Sequence, residues 1–426
     1  MSKKIFIIFA ILFSVIFFIN FDKIRSFARA SLPDSFKYKV KEVFFGKEYL
    51  EETIYYRKLG YNVKKLPETQ FENIDTTKIT LSNLEIIEKT HYDNVKDISS
   101  NNKKFFIEAY KNYLIITSAK GKIKLVEDYK SSKIIKLNSN LKDFNIYNVL
   151  DTLVLNKKLF ISFVSKKDES SECSLINIAE ANIAKDFLDF KIFYKTKECT
   201  AGTNALGGRM KFYKHKNTEG LLLTTAASDE EKLRAQDDDS FYGKIWFFSL
   251  DGKEKILFSK GHRNPQGLLI VDGTILSTEH GPYGGDEINK IEFQKNYGFP
   301  HSSYGEPYDF KTILKSRSDY FFKKNHSKYS FKEPIFSFIP SIGISEIIKV
   351  PKEFSKYWQN NFLITSLNGR TIYRAEFDNK FTKLKYIEPI RVGERIRDIK
   401  YLPNLNSFVL ALEETGSLLF LKVKKS

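Results

Sequence analysis

From about Thr77 to its end, the chain is written in short runs of β-branched and aromatic residues broken by turn residues. The runs include Lys78–Ile87, Asn112–Ser118, Lys122–Glu127, Leu159–Val164, Gly220–Thr225, Lys244–Leu250, Gly273–Thr278, Asn361–Ser366, Thr371–Phe377, Ser407–Leu412 and Ser417–Val423. Asp251-Gly252, Asp272-Gly273 and Asn368-Gly369 fall between or beside them, and such dipeptides set hairpin turns. This predicts an all-β fold built from hairpins. Roughly 350 residues are too many for one sandwich. A closed propeller handles that length by radial repetition, without long exposed edges. Six four-stranded blades use about 58 residues each. The expected fold is a six-bladed β-propeller over residues 76–426, with Tyr304–Pro334 as a long inter-strand insertion.

The start of the chain has a different texture. Lys3 and Lys4 precede an apolar run, Ile5–Ile19, interrupted by one serine. Its roughly 15 residues lie between a signal-peptide core and a full membrane span. The small-x-small triplet Ala28-Arg29-Ala30 sits about ten residues past the run, far for signal peptidase. An uncleaved membrane anchor over residues 1–30 is therefore favoured over a cleaved signal. Lys23, Arg25 and Arg29 blur the orientation that flanking charge would set. Residues 31–75 read as a juxtamembrane spacer, with a helix expected where Val40, Phe44, Phe45, Tyr49 and Leu50 fall at helical spacing.

Charge is the next constraint. Lys and Arg total 69 against 52 Asp and Glu, a formal net charge of +17. The basic residues are scattered, with no block of five or more and no zinc-finger or helix-turn-helix spacing, so nucleic acid is not an expected partner. A solvated lysine-rich surface accounts for most of the excess. Two cysteines, Cys173 and Cys199, flank the strand-like segments Ser174–Ala179 and Phe187–Tyr194. A hairpin would bring them within bonding reach. The other reading is two unrelated buried thiols.

The densest group of unusual residues is Gly261-His262-Arg263-Asn264-Pro265-Gln266-Gly267. It is followed by Glu279-His280-Gly281-Pro282-Tyr283-Gly284-Gly285-Asp286-Glu287-Ile288-Asn289, then Asn296-Tyr297-Gly298-Phe299-Pro300. The first two pieces are joined by the strand pair Leu268–Val271 and Thr274–Thr278, which puts them at one end of a blade. Glycines let backbone carbonyls and amides approach a ligand closely. Carbonyl oxygens suit a hard cation such as Ca²⁺, and Arg263 offers a planar fork for carboxylate or quinone oxygens.

These motifs, in this order and spacing, closely resemble the PQQ-dependent aldose sugar dehydrogenases, the glucose/sorbosone dehydrogenase family. Gly207-Gly208-Arg209-Met210, Glu394-Arg395-Ile396-Arg397-Asp398-Ile399 and the first-blade pair within Ser118–Val126 extend the resemblance to about residues 77–424. It implies a six-bladed propeller with PQQ and Ca²⁺ at one end of the central channel, an aldose or related small molecule as substrate, and export. The chain is then expected on the periplasmic side of the inner membrane, anchored, or free in the periplasm after cleavage. By resemblance, Arg263, Asn264, Arg395 and Arg397 hold PQQ. Gly281 and Pro282 supply carbonyls to calcium. The structural alternative for these residues is blade-turn glycines and surface ion pairs.

The match breaks at the acid/base residues. Oxidising a sugar hydroxyl needs a base. The family's His two residues before Gly-Gly-Arg is Ala205 here. Its supporting Asp after the next strand is replaced in Thr224-Thr225-Ala226-Ala227, with Asp229 two residues late. A family Lys that touches the cofactor in some members is Asn368. His262 and His280 belong to the shared motifs and are not obvious substitutes for the base, and His215, in a Lys-rich stretch, is expected to be exposed. Asp229 or Glu279 could act only if a loop moved. The sequence thus carries three readings: a PQQ-type sugar dehydrogenase with an unusual base, a non-catalytic propeller that binds a ligand or partner, and a Ca²⁺-dependent hydrolase of the sugar-lactonase type. The last needs a carboxylate cluster, for which only Asp286 and Glu287 are candidates.

Overall fold

The computed structural model describes residues 84–91, 103–128, 133–166, 173–184, 186–201, 206–228, 231–282, 284–305 and 326–423, with the isolated positions 39 and 43. The expected anchor, nearly all of the spacer with its expected helix, Ala205, Asp229, Tyr283 and most of the 304–334 insertion lie outside the described residues. No helix among the described residues is long and apolar enough to cross a membrane.

The chain first lays down β1 (Leu84–His91). Blade one follows as β2 (Phe105–Tyr110), β3 (Tyr113–Ser118), β4 (Ile123–Asp128) and β5 (Lys133–Ser139). Blade two holds β6 (Ile146–Leu155), β7 (Lys158–Lys166) and β8 (Ser174–Asn182). Next, β9 (Phe187–Leu188) steps back to run parallel to β5, and β10 (Lys191–Lys195) completes blade two beside β8. The single strand expected over Phe187–Tyr194 is therefore two short strands serving different blades. Blade three is β11 (Gly207–His215), β12 (Thr218–Thr225), β13 (Lys244–Ser249) and β14 (Lys255–Lys260). Blade four is β15 (Pro265–Val271), β16 (Thr274–Glu279), β17 (Asp286–Ile291) and, after β18 (Lys295–Asn296) pairs back onto β14, β19 (Phe336–Phe338).

Blade five is β20 (Ile344–Lys349), β21 (Asn361–Ser366), β22 (Thr371–Phe377) and β23 (Leu384–Arg391). Blade six takes β24 (Ile396–Leu402), β25 (Ser407–Leu412) and β26 (Ser417–Val423), with β1 as its outer strand. The antiparallel register runs from Leu84 opposite Val423 to His91 opposite Ser417. That pairing closes the ring with the first and last described strands in one sheet. All six sheets lie within the unit Gly60–Ser426.

The composition of the strands follows from their place. β13, β21 and β25 are buried at every residue. Each lies inside a blade with another blade on either face, so its sequence is a near-continuous apolar run. The outer strand β10 has no fully buried residue. The core is divided accordingly into an apolar cluster at each blade interface. For example, Phe105, Ile107, Leu114 and Ile116 of blade one meet Val409, Ala411, Leu418 and Phe420 of blade six. The Asp272-Gly273 turn has both residues at positive φ, 49° and 76°. It joins β15 to β16 as a two-residue hairpin, where glycine adopts that conformation without steric cost.

Cys173 and Cys199 are joined in a disulfide, with Cα atoms 5.0 Å apart. The hairpin of β8 and β10 brings them together. Beside the disulfide, Ser174 and Thr200 exchange backbone hydrogen bonds of 2.9 and 3.0 Å.

The innermost strands β2, β6, β11, β15, β20 and β24 touch in a closed ring. Arg209 of β11 reaches across its centre and is almost wholly buried. Its Nη1 meets Asp151 of blade two at 2.9 Å, and Glu346 of blade five and Asp398 of blade six at 3.4 and 3.7 Å. Its Nε donates to the carbonyl of Gln266 in blade four at 2.5 Å, and its Nη2 to the carbonyl of Arg397 in blade six at 2.9 Å. Its guanidinium also lies over the Phe106 ring of blade one, 5.1 Å from the centroid. One side chain thus links all six blades. Burial works against its charge, but Glu346, Asp151 and Asp398 together hold it firmly protonated.

Candidate functional site

The chain enters each blade along the innermost strand, so the starts of these strands share one rim of the channel. Lys104, Gly207, Asn264–Gln266 and Arg395–Arg397 all stand at such starts. The loop between β16 and β17, residues 280–285, joins them. The expected site residues do come together here. Arg263 donates from Nη1 to the carbonyl of Gly281 at 2.8 Å and to that of His280 at 3.3 Å. The His280 backbone amide donates to the Asn264 carbonyl at 3.0 Å. Arg397 donates from Nη1 to Oε1 of Gln266 at 3.2 Å, and Nε2 of Gln266 donates to Oδ1 of Asn264 at 2.8 Å. The same Asn264 oxygen accepts from the Gly207 amide at 3.2 Å. Pro282 lines a cavity with Arg263 and Gly281.

The 281–285 turn shows why glycine is needed. A Cβ on Gly281 would fall 2.2 Å from the Gly285 carbonyl oxygen and 2.5 Å from that of Gly284. Asp286 holds the turn from beneath. Its carboxylate accepts from the amides of Gly281, Ile342 and Ile344 and from the Ser341 hydroxyl. With four donors satisfied, Asp286 is committed to structure.

The rim is rich in positive charge. Arg395 and Arg397 share one carboxylate, Glu413, at 3.0 and 2.6 Å. Burial alone would raise the Glu413 pKa, but the Arg397 and Arg395 charges and the Arg397 hydrogen bond hold it at about 2. Burial drives the Lys104 ammonium well below its usual range, and the neighbouring Arg397 adds to the effect. The His280 imidazole is also pushed down, first by burial and then by Arg263, Arg397 and Arg395, against the opposing pull of Asp286. Its Nε2 is buried without a hydrogen-bond partner. Guanidiniums that share one carboxylate, beside a desolvated ammonium, suit an anionic, planar, multi-carboxylate ligand. The donor set fits PQQ in that sense. Calcium fits less directly. Arg263 already occupies the Gly281 carbonyl, and among the described residues no group of three or more His, Cys, Asp or Glu could hold a metal.

Beside the Gly281 turn is a cavity with room for about one water, about 10 Å³. Arg263, Glu279, His280, Glu287 and His326 line it. Glu279 accepts from the Arg263 amide and pairs with Nδ1 of His262 at 2.9 Å. The other His262 nitrogen meets Ser259 Oγ at 2.9 Å, and the ring stacks on Tyr297 at 4.7 Å. His262 and Glu279 therefore brace the loop. Burial, with Glu279 close by, raises the Glu287 pKa well above the usual carboxylate range. Asp286 is taken up by four donors and Glu287 accepts from Asn289, so they form no carboxylate cluster of the kind the lactonase reading requires.

The surroundings of Ala227, where the resemblance puts the acidic partner of the base, are apolar. Ala227 is buried against Ala235 and Phe299, and its amide donates to the Arg263 carbonyl at 2.9 Å. Leu206, next to Ala205, is also buried. His215 corrects the expectation of exposure. It is buried beside Tyr213, Phe247, Phe258 and Phe293, with the Phe293 ring 4.7 Å away. The Lys-rich stretch around it hid an inward-facing strand position.

Lys104, Arg209, Gln266 and Glu413 belong to the site's architecture but were not singled out as site residues. A charged residue at the head of an apolar inner strand, as in Lys104-Phe105-Phe106, was the available signal. Gln266 was inside the motif, but its partner Arg397 lies 131 positions away.

The fold and rim define a six-bladed propeller with an arginine-rich rim at one mouth of its channel. Residues 105–420 match the glucose/sorbosone dehydrogenase family, and the chain belongs to it. An aldose sugar dehydrogenase of Escherichia coli (strain K12) is 27% identical over 247 residues, covering 54% of this chain and 63% of that protein. The chain thus spans under two thirds of the length of that curated relative. A crystal structure of a glucose dehydrogenase superposes with a TM-score of 0.65 at 21% identity, covering 80% of this chain and 100% of the other. The PQQ-bound aldose sugar dehydrogenase of Streptomyces coelicolor gives 0.57 at 16% identity, over 80% and 98%. At these identities the superpositions establish the fold.

Proposed function

We propose that this chain binds PQQ at the cationic mouth and oxidises aldose sugars there, as relatives named aldose sugar dehydrogenase do. The observation that carries the reading is the convergence of Arg263, Arg395 and Arg397 on one rim with Glu413 shared between two of them. Arg395 and Arg397 would bind the cofactor's carboxylates, and Arg263 with Asn264 its other edge. PQQ, when bound, would supply a quinone as acceptor for the hydride on the carbon that bears the sugar hydroxyl, while the hydroxyl proton needs a separate base. Calcium at the Gly281 and Pro282 carbonyls belongs to the same reading, and requires Arg263 to leave the Gly281 carbonyl. The proposal also places the chain on the periplasmic side of the inner membrane, held by Ile5–Ile19. The Cys173–Cys199 disulfide supports an oxidising compartment. Secretion after cleavage is the alternative.

One observation favours a second reading, in which the mouth holds a ligand without oxidising a sugar. Ala227 is packed between apolar neighbours, where a base would need an acidic support. The test is to add PQQ and Ca²⁺ to the purified protein and follow quinone absorbance and dye reduction with a panel of aldoses. Binding with sugar-dependent reduction supports the first reading. Binding without reduction supports the second, and absence of binding removes both cofactor assignments, PQQ and Ca²⁺. In an Ala205→His, Ala227→Asp variant, sugar oxidation is expected to rise by about 10²–10⁴.

A further inference from the structure

Gln266 stands between the two halves of the cationic rim. Its Oε1 accepts from Arg397 Nη1 at 3.2 Å, while its Nε2 donates to Asn264 Oδ1 at 2.8 Å. The geometry allows both bonds because the backbones beneath are tied together. The Arg209 guanidinium donates to the carbonyl of Gln266 from Nε and to the carbonyl of Arg397 from Nη2. Strands β15 and β24 belong to blades four and six, so no sheet hydrogen bond sets their register. Arg209 is the element that spans them.

Arg397 has two side-chain anchors, Glu413 at Nε and Gln266 at Nη1. Together they fix the plane of the guanidinium, which a single contact leaves free to rotate. Asn264 is held in turn by Gln266 and by the Gly207 amide.

We propose that Gln266 is a positioning residue that clamps Arg397 to Asn264 across the channel mouth, with Arg209 as the strut beneath, so that both present a fixed face to an anionic ligand. The identity of that ligand rests on the PQQ reading; the clamp does not. The contacts of the Gln266 amide are to Arg397 and Asn264, so its proposed effect passes through them.

The experiment uses the full chain and three proteins: wild type, Gln266→Leu and Gln266→Glu. The first readout is the rate at which an arginine-selective dicarbonyl reagent modifies each arginine of the ligand-free protein, mapped by mass spectrometry. In Gln266→Leu the modification of Arg397 is expected to rise about tenfold, the size of one lost hydrogen bond to a charged group. Arg395 and Arg209 should be unchanged. Gln266→Glu keeps an acceptor for Arg397, so its protection should persist. The second readout is a PQQ titration followed by absorbance, in which Gln266→Leu should bind about tenfold more weakly and Gln266→Glu less affected. Unchanged protection of Arg397 in a folded Gln266→Leu protein overturns the clamp. If that variant does not fold, exposure of Arg397 in Gln266→Glu overturns it and retained protection supports it. A wild type that fails to bind PQQ removes the sugar dehydrogenase reading, while the clamp is still decided by Arg397.

Discussion

Two sets of arginines lie a few residues apart along the inner strands and do opposite work. Inside the channel, Arg209 faces Asp151, Glu346 and Asp398. At the mouth, Arg395 and Arg397 share the carboxylate of Glu413, with Arg263 on carbonyls and Lys104 close enough to be depressed by Arg397. The first set has more carboxylates than its guanidinium needs, and each also caps backbone amides: Asp398 those of Ile107 and Ile399, Glu346 that of Ile347, Asp151 that of Met210. It is a closed structural network. The second has two guanidiniums on one carboxylate, so that triad carries a net positive charge. The difference separates a strut from a site more reliably than residue type does.

The largest stability effect should come from the interior. Arg209→Met leaves three buried carboxylates without their common cation, and should cost about 3–5 kcal/mol in denaturant unfolding. A loss below about 1 kcal/mol would show that the blades do not depend on this link.

At the mouth, Glu413→Gln should cost on the order of 3 kcal/mol near neutral pH, from a carboxyl pKa lowered from 4.5 to about 2. The sign follows from the depressed pKa. The contribution is fully present above the unfolded value of 4.5 and is lost as pH falls through about 2. Wild type should therefore lose its advantage over the variant across that window in acid unfolding. A constant difference at every pH would make the Glu413 charge irrelevant.

Ala227→Asp alone should cost about 1–3 kcal/mol, because it places a carboxylate between Ala235 and Phe299 without a partner. A neutral result by thermal unfolding would mean that this wall can hydrate. Arg395→Ala should be the mildest. Its side chain is 35% exposed, so the loss of stability should stay under about 1 kcal/mol. PQQ affinity should still fall about tenfold, because a charge-assisted contact is removed. If stability falls more than affinity, Arg395 belongs with the strut and the contrast between the two sets collapses.

Much of this was legible in the chain. The runs Asn361–Ser366, Thr371–Phe377, Ser407–Leu412 and Ser417–Val423 appear as strands with those bounds. Strands buried on both faces read as continuous apolar runs, which makes their ends sharp. Phe187–Tyr194 misled because a step between blades leaves little trace in local composition. His215 misled because its lysine neighbours are exposed while its own position faces a ring of phenylalanines. The site motifs were legible since glycines, proline and arginine at fixed short spacing have few structural substitutes.

By itself, the sequence determined the all-β character, the number of blades, the family, and that alanines, Ala205 and Ala227, stand where the resemblance puts a base and its support. Each of these is written in local pattern or in the identity of a single residue. Only the tertiary structure decided which charges cancel. Arg209 and Arg397 look alike in the chain, but the partners of Arg209 come from five other strands, as far away as Asp398. Coulombic balance depends on distances through space, and the closed ring alone sets those.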